Sequence, residues 1–307
     1  MATIISHYLD SIKNNLRLDL YSEKEVISEL ETHIEDELQD LKETGLSEEE
    51  AAHTCVQLLG SAKLVARQIY EAHSQGSWRH VLLASMPHLL FGLLFALNWW
   101  HHIGWLSAVL IPILIMAVYG WWHGRPAWLS PWLGYSLLPV VVAGLFLLYL
   151  PKGWSWLAIL LYIPLAVWLL YCITVQTIKR DWLYSSLMLF PMPIIAGWCI
   201  AVGQESRFPE FSVPGMYELA PWIGLSFLAM GATAATFMRL RQRWLKTVVV
   251  FISGLLILVM VGYFAGDRLG LPNFFVLILT MSMLFLIPAL LERRLRRSKI
   301  VNSQENL

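Results

Sequence analysis

The stretch from Arg79 to Trp122 constrains this chain more than any other. It reads RHVLLASMPHLLFGLLFALNWW, breaks at His101-His102, and resumes as GWLSAVLIPILIMAVYGWW. Each arm is about twenty residues long with no internal charge, the length that crosses roughly 30 Å of hydrocarbon. A backbone in lipid must satisfy its own polar groups, so such arms are helices. Similar runs recur, giving expected spans over 81–100, 104–122, 132–150, 155–174, 182–202, 218–237, 245–265 and 272–291. Prolines recur with them. Pro87, Pro139 and Pro191 lie fifty-two residues apart, as do Pro112 and Pro164. A common step of this kind points to tandem two-helix hairpins, with the fourth hairpin out of proline register. The expected fold is therefore all-α, with an eight-helix transmembrane bundle over 77–292.

The 76 residues before these runs have a different character. They hold fifteen Asp and Glu against six Lys and Arg, whereas the remainder holds seven against sixteen. This segment has no apolar core of a signal peptide. Its apolar positions recur at helical spacing. Ile4, Tyr8, Ile12 and Leu16 predict a helix over 2–20. Ser22 with Glu25 has capping-box spacing and predicts the start of a second helix, carrying Val26, Ile27, Leu30, Ile34, Leu38 and Leu41 inward. Gly45 suits a left-handed stop. Ser47 with Glu50 predicts a third helix, and Gly60-Ser61 separates it from a fourth. Residues 1–76 thus read as a cytosolic four-helix domain, and 293–307 as a basic cytosolic tail.

The run SELETHIEDELQDLKETGLSEEEAAHTCVQLLGSAKLVARQIYEA resembles the HAAS-type, or permease prefix, domain of bacterial membrane proteins. The resemblance rests on Glu29, His33 and Glu37, on Gly45-Leu46-Ser47-Glu48-Glu49-Glu50-Ala51, on Leu59-Gly60 and on Leu64-Val65-Ala66, and it covers residues 5–75. Ser61-Ala62-Lys63 departs from it, standing where an Asp-Pro turn is common. The resemblance implies a regulatory prefix fused to a membrane region and linked with PadR-like transcription regulators or with permease subunits. Its partner surface would be the acidic side of the second helix, around Glu29, His33, Glu37 and Asp40.

Lys and Arg set the orientation. With the N-terminal domain inside, the inner loops and tail hold thirteen of these residues, and the outer loops hold Lys152, Arg207 and Arg268. That distribution implies an inner (plasma) membrane protein with both termini cytoplasmic. Arg239, Arg241 and Arg243 form a basic inner loop, for which two readings stand: lipid headgroup binding, or docking of the acidic domain by charge complementarity. The acidic domain is the wrong sign for direct nucleic-acid binding. The loop from Gly203 to Glu218 is the longest on the outer side, and Arg207, Phe208 and Phe211 there are candidates for a ligand lid, with a plain connection as the alternative.

Chemistry-bearing signatures are sparse. Cys55, Cys172 and Cys199 have no metal-ligand spacing. His88, His101, His102 and His123 lack accompanying carboxylates or thiolates, and His33 with Glu37 reads as a solvated face rather than a zinc site. Gly224-Leu225-Ser226 lacks the last glycine of a nucleophile elbow, and no phosphate loop is present. No catalytic residue, metal or cofactor is assigned. Every Asp, Glu, Lys and Arg falls at or beyond an expected span end, which argues against a carrier built on a buried carboxylate. The expected function is a non-enzymatic membrane regulator or sensor whose acidic domain engages a signalling partner, which the resemblance implies is PadR-like. The alternative is a permease or channel subunit working with an ATPase partner.

Overall fold

A computed structural model describes residues 2–16, 18, 20–137, 160, 163–203 and 214–305. The described residues are helical with no strand. By internal packing the chain divides into two units, one of 1–76 with 240–243, the other of 77–239 with 244–307.

The first unit is built on α1 (Ala2–Asn15), α2 (Leu20–Glu43), α3 (Glu48–Leu59) and α4 (Ala62–His73). Tyr8, Ile12, Val26, Ile34, Leu38, Ala51, Cys55 and Ala66 form its core. Two expected boundaries move. The first helix ends at Asn15 rather than near residue 20, because asparagine side chains compete for backbone groups and Leu16 and Leu18 are drawn into the core. The second therefore begins at Leu20, and Ser22 lies within it rather than capping it. The other signals appear where expected. Ser47 and Glu50 form a reciprocal capping box at α3, and Ser61 caps α4 through the Leu64 amide. Gly45 and Gly60 have φ of 94° and 81°, where a side chain would be strained. The Tyr8 hydroxyl donates to the Gly60 carbonyl at 3.0 Å, tying α1 to the α3–α4 turn.

The second unit contains α5 (Trp78–Ala96), α6 (Ile103–Trp122), a helical stretch at 129–137, α7 (Ile163–Arg180), α8 (Trp182–Leu189), α9 (Pro191–Gly203), α10 (Pro214–Arg239), α11 (Arg243–Ala265) and α12 (Leu271–Glu305). Six helical runs among the described residues are long and apolar enough to cross a membrane, so this is a multi-pass membrane protein. They are Trp78–Ala96, Gly104–Trp122, Trp182–Val202, Met216–Arg239, Arg243–Arg268 and Leu271–Arg294. Of the expected spans at 132–150 and 155–174, residues 138–159 and 161–162 lie outside the described residues. The expected span at 182–202 is two helices meeting at Phe190. Pro191 has no N–H for the Leu187 carbonyl, which ends the first helix and suits the start of the next. The expected tail at 293–307 continues α12 as helix to Glu305.

Among the described residues, packing does not simply follow chain order. The main partner of α5 is α10, far along the chain, rather than its neighbour α6. The two run antiparallel. The Arg239 guanidinium lies 4.4 Å from the centre of the Trp78 ring, Gly231 faces Ser85 and His88, and Gly224 faces Gly92 and Ala96. A Cβ on Gly224 would sit 3.2 Å from the Gly92 carbonyl oxygen, so small residues allow the backbones to touch. The prolines sharing the fifty-two-residue step also occupy unlike places. Pro87 and Pro112 are inside helices, Pro164 is second in α7, and Pro191 opens α9. A sequence period alone does not impose equivalent packing when small residues elsewhere permit a closer fit.

Candidate functional site

On α2, the apolar stripe of Val26, Ile34 and Leu38 is buried, and Glu29, His33, Glu37 and Asp40 are all exposed. Spacings of four, four and three put these side chains along one flank of the helix. Burial and, less strongly, the Glu37 carboxylate raise the Cys55 thiol of α3 above its ordinary range. Glu50 lies at the α3 N-terminus, where the Ser47 hydroxyl and amide hold its carboxyl below the usual range. Among the described residues, no group of three or more His, Cys, Asp or Glu is placed to hold a metal.

The three candidate arginines have different surroundings. Arg239 stacks on Trp78, within the second unit. Arg241 belongs to the first unit. Its Nε donates to the Gln75 side-chain oxygen at 2.9 Å, and its carbonyl accepts from the Ser74 hydroxyl at 3.0 Å. Arg243 begins α11. Arg207, Phe208 and Phe211 lie outside the described residues. At the edge of that loop, Glu218 pairs with Arg268 at 3.2 Å on an exposed surface.

The membrane unit holds groups that the spacing of charges in sequence does not reveal. Asp181 and Lys246 are completely buried and Glu292 nearly so. They sit at span ends, as expected, and are buried there. Asp181 caps α8 through the Leu183 amide at 3.1 Å. The Lys246 ammonium lies 5.1 Å from the centre of the Phe237 ring and 6.0 Å from that of Tyr184, one turn beyond Asp181. Ser186 donates to the Leu284 carbonyl and Trp182 meets Phe285 edge-on, which places α12 against α8 and carries Glu292 toward the same end.

Deeper in the unit, His88 is completely buried, and its Nδ1 is 2.7 Å from the Tyr135 hydroxyl. Its Nε2 has no hydrogen-bond partner, and the same is true of the buried Ser185 hydroxyl. The Tyr135 ring stacks on Phe91 at 4.8 Å, Phe91 on Phe227 at 5.4 Å, and Phe227 on Phe95 at 5.7 Å. His88 therefore meets Tyr135, whose ring continues into a stack of phenylalanines. The stretch 128–137 is almost entirely buried. Trp128 and Trp132 are core residues rather than members of an interfacial belt, and the Trp132 indole donates to the Leu83 carbonyl at 2.8 Å. Trp78, Trp122 and Trp244 are exposed at helix ends, as an interfacial role requires. No family model, curated protein or solved structure matches the chain.

Proposed function

We propose that this chain is a non-enzymatic membrane regulator of the HAAS-like, permease-prefix kind, whose acidic helical domain engages a cytosolic signalling partner. The observation that carries the reading is the division of labour on α2. Its apolar stripe is consumed by the domain's own core, while Glu29, His33, Glu37 and Asp40 remain displayed on an exposed flank. An exposed row of like charge contributes little to folding and favours recognition of a basic surface by steering and complementarity. The bias of Lys and Arg toward one set of loops supports an inner-membrane location with both termini cytoplasmic. A PadR-like regulator fits the resemblance of this domain.

The test is capture of cytosolic proteins by the detergent-solubilised full-length protein, beside the Glu29→Lys, Glu37→Lys, Asp40→Lys variant. A transcription regulator retained by the first and lost by the second supports the reading. Equal capture by both refutes the assigned face. The permease or channel alternative draws on the burial of Asp181, Lys246 and Glu292, since enclosed charges often mark substrate paths. Solute flux in reconstituted vesicles separates the two.

A further inference from the structure

Among the described residues of the membrane unit, buried polarity is concentrated in one half. The end where α5 begins and α10 finishes is marked by Arg79 and by Arg239 on Trp78. Measured from that end, Asp181, Lys246 and Glu292 come first, then Ser185, Ser186 and Thr233, then Ser85 and His88. Beyond His88, the Phe91, Phe227 and Phe95 rings stack on one another. Ser226, beside Phe227 at the level of that stack, is also buried, and it is occupied by the Trp198 indole at 3.0 Å. Buried side-chain atoms without a hydrogen-bond partner include His88 Nε2, Ser185 Oγ and Gln176 Oε1. Ser185 lies four residues after Asp181, on the same face of α8. Buried polar atoms in a membrane protein face a partner, an ion or water.

We propose that Asp181, Lys246 and Glu292 form an ionic gate over a blind polar seam that runs from the arginine end to His88. In the present conformation the gate is shut, as the burial of all three residues requires. Two carboxylates against one ammonium favour a small cation or water as the species admitted. The aromatic stack makes the seam a dead end, so it serves binding rather than passage. This goes beyond the partner-binding reading and does not depend on it.

The gate is testable by thiol accessibility in full-length protein held in lipid nanodiscs. Cys55, Cys172 and Cys199 are first replaced by Ala, and Ser185→Cys or Ser226→Cys is introduced singly. The probe is MTSET, a small quaternary-ammonium methanethiosulfonate. The gate is neutralised by Asp181→Asn with Glu292→Gln. Both changes are isosteric, and asparagine caps a helix as well as aspartate, so the fold is preserved. Lys246→Met, of similar volume, opens the gate from its other side. The expected result is slow modification at position 185 with the gate intact, accelerated about tenfold or more by either change, the size of an ordinary two-state coupling. Position 226 should stay slow throughout. An unchanged rate at 185, a fast rate before neutralisation, or equal acceleration at 226 would overturn the proposal.

Discussion

Two glycine-to-alanine changes in the membrane unit should have opposite outcomes although both new methyl groups collide with neighbours. At Gly134 the added Cβ would overlap the carbonyl oxygen of Met188. That oxygen belongs to backbone near the end of α8, just ahead of the break at Phe190, so relief requires one helix to move away from the other. At Gly254 the added Cβ would overlap the terminal methyl of Met281, the far end of a side chain with three rotatable bonds. Alanine improves on glycine within a helix by roughly 0.5–1 kcal/mol through the unfolded chain's entropy. Overpacking a filled core costs about 1–3 kcal/mol, and more where rigid groups meet. Gly134→Ala should therefore lose at least about 2 kcal/mol. Gly254→Ala should fall within about 1 kcal/mol of the parent, since rotation of Met281 absorbs most of the strain. Reversible unfolding in mixed micelles, followed by tryptophan fluorescence, reads both. Equal destabilisation, or a larger loss at Gly254, would refute the claim that backbone contact at Gly134 sets the spacing between the 129–137 stretch and α8.

Two further outcomes follow from single contacts. His88→Phe leaves the buried Tyr135 hydroxyl without its 2.7 Å partner and should cost about 1–3 kcal/mol, with much of that recovered in the His88→Phe, Tyr135→Phe double variant. The same unfolding assay checks it, and strictly additive losses would mean the pair is not coupled. Ser47→Ala removes the α3 cap and should lower the stability of the N-terminal helices by about 1 kcal/mol near neutral pH. The Glu50 carboxyl is held below its ordinary range by Ser47. Its contribution is therefore present above the unfolded-state value and disappears as the pH falls through the lowered folded one. The gap between parent and Ser47→Ala should accordingly narrow on acidification, as read by circular dichroism melts across the acid range.

Local rules carried much of the architecture. Twenty-residue uncharged runs predict membrane helices because the bilayer offers no other partner for the backbone. Ser47, Glu50, Gly45 and Gly60 mark helix ends because capping and left-handed turns depend on residues a few places apart. The start of α2 was illegible for the complementary reason: burial of Leu16 and Leu18 decides where the chain turns, and that is a contact with other helices. The proline period suggested hairpins of neighbours, but α5 finds α10, because Gly92, Gly224 and Gly231 let those two backbones approach and nothing in the period encodes which helix supplies the matching face.

The candidate sites divide the same way. The exposed row of Glu29, His33, Glu37 and Asp40 was readable from helical spacing, which fixes what shares a face. Asp181, Lys246 and Glu292 looked like ordinary span-end charges, and His88 like a packing residue. Hydropathy reports how far along a helix a residue lies and is blind to whether that helix end faces lipid, water or another helix. The sequence by itself therefore determined which segments are helical and apolar. Only the tertiary structure decided which polar atoms share an interior, because enclosure depends on the packing of residues on helices far apart in the chain.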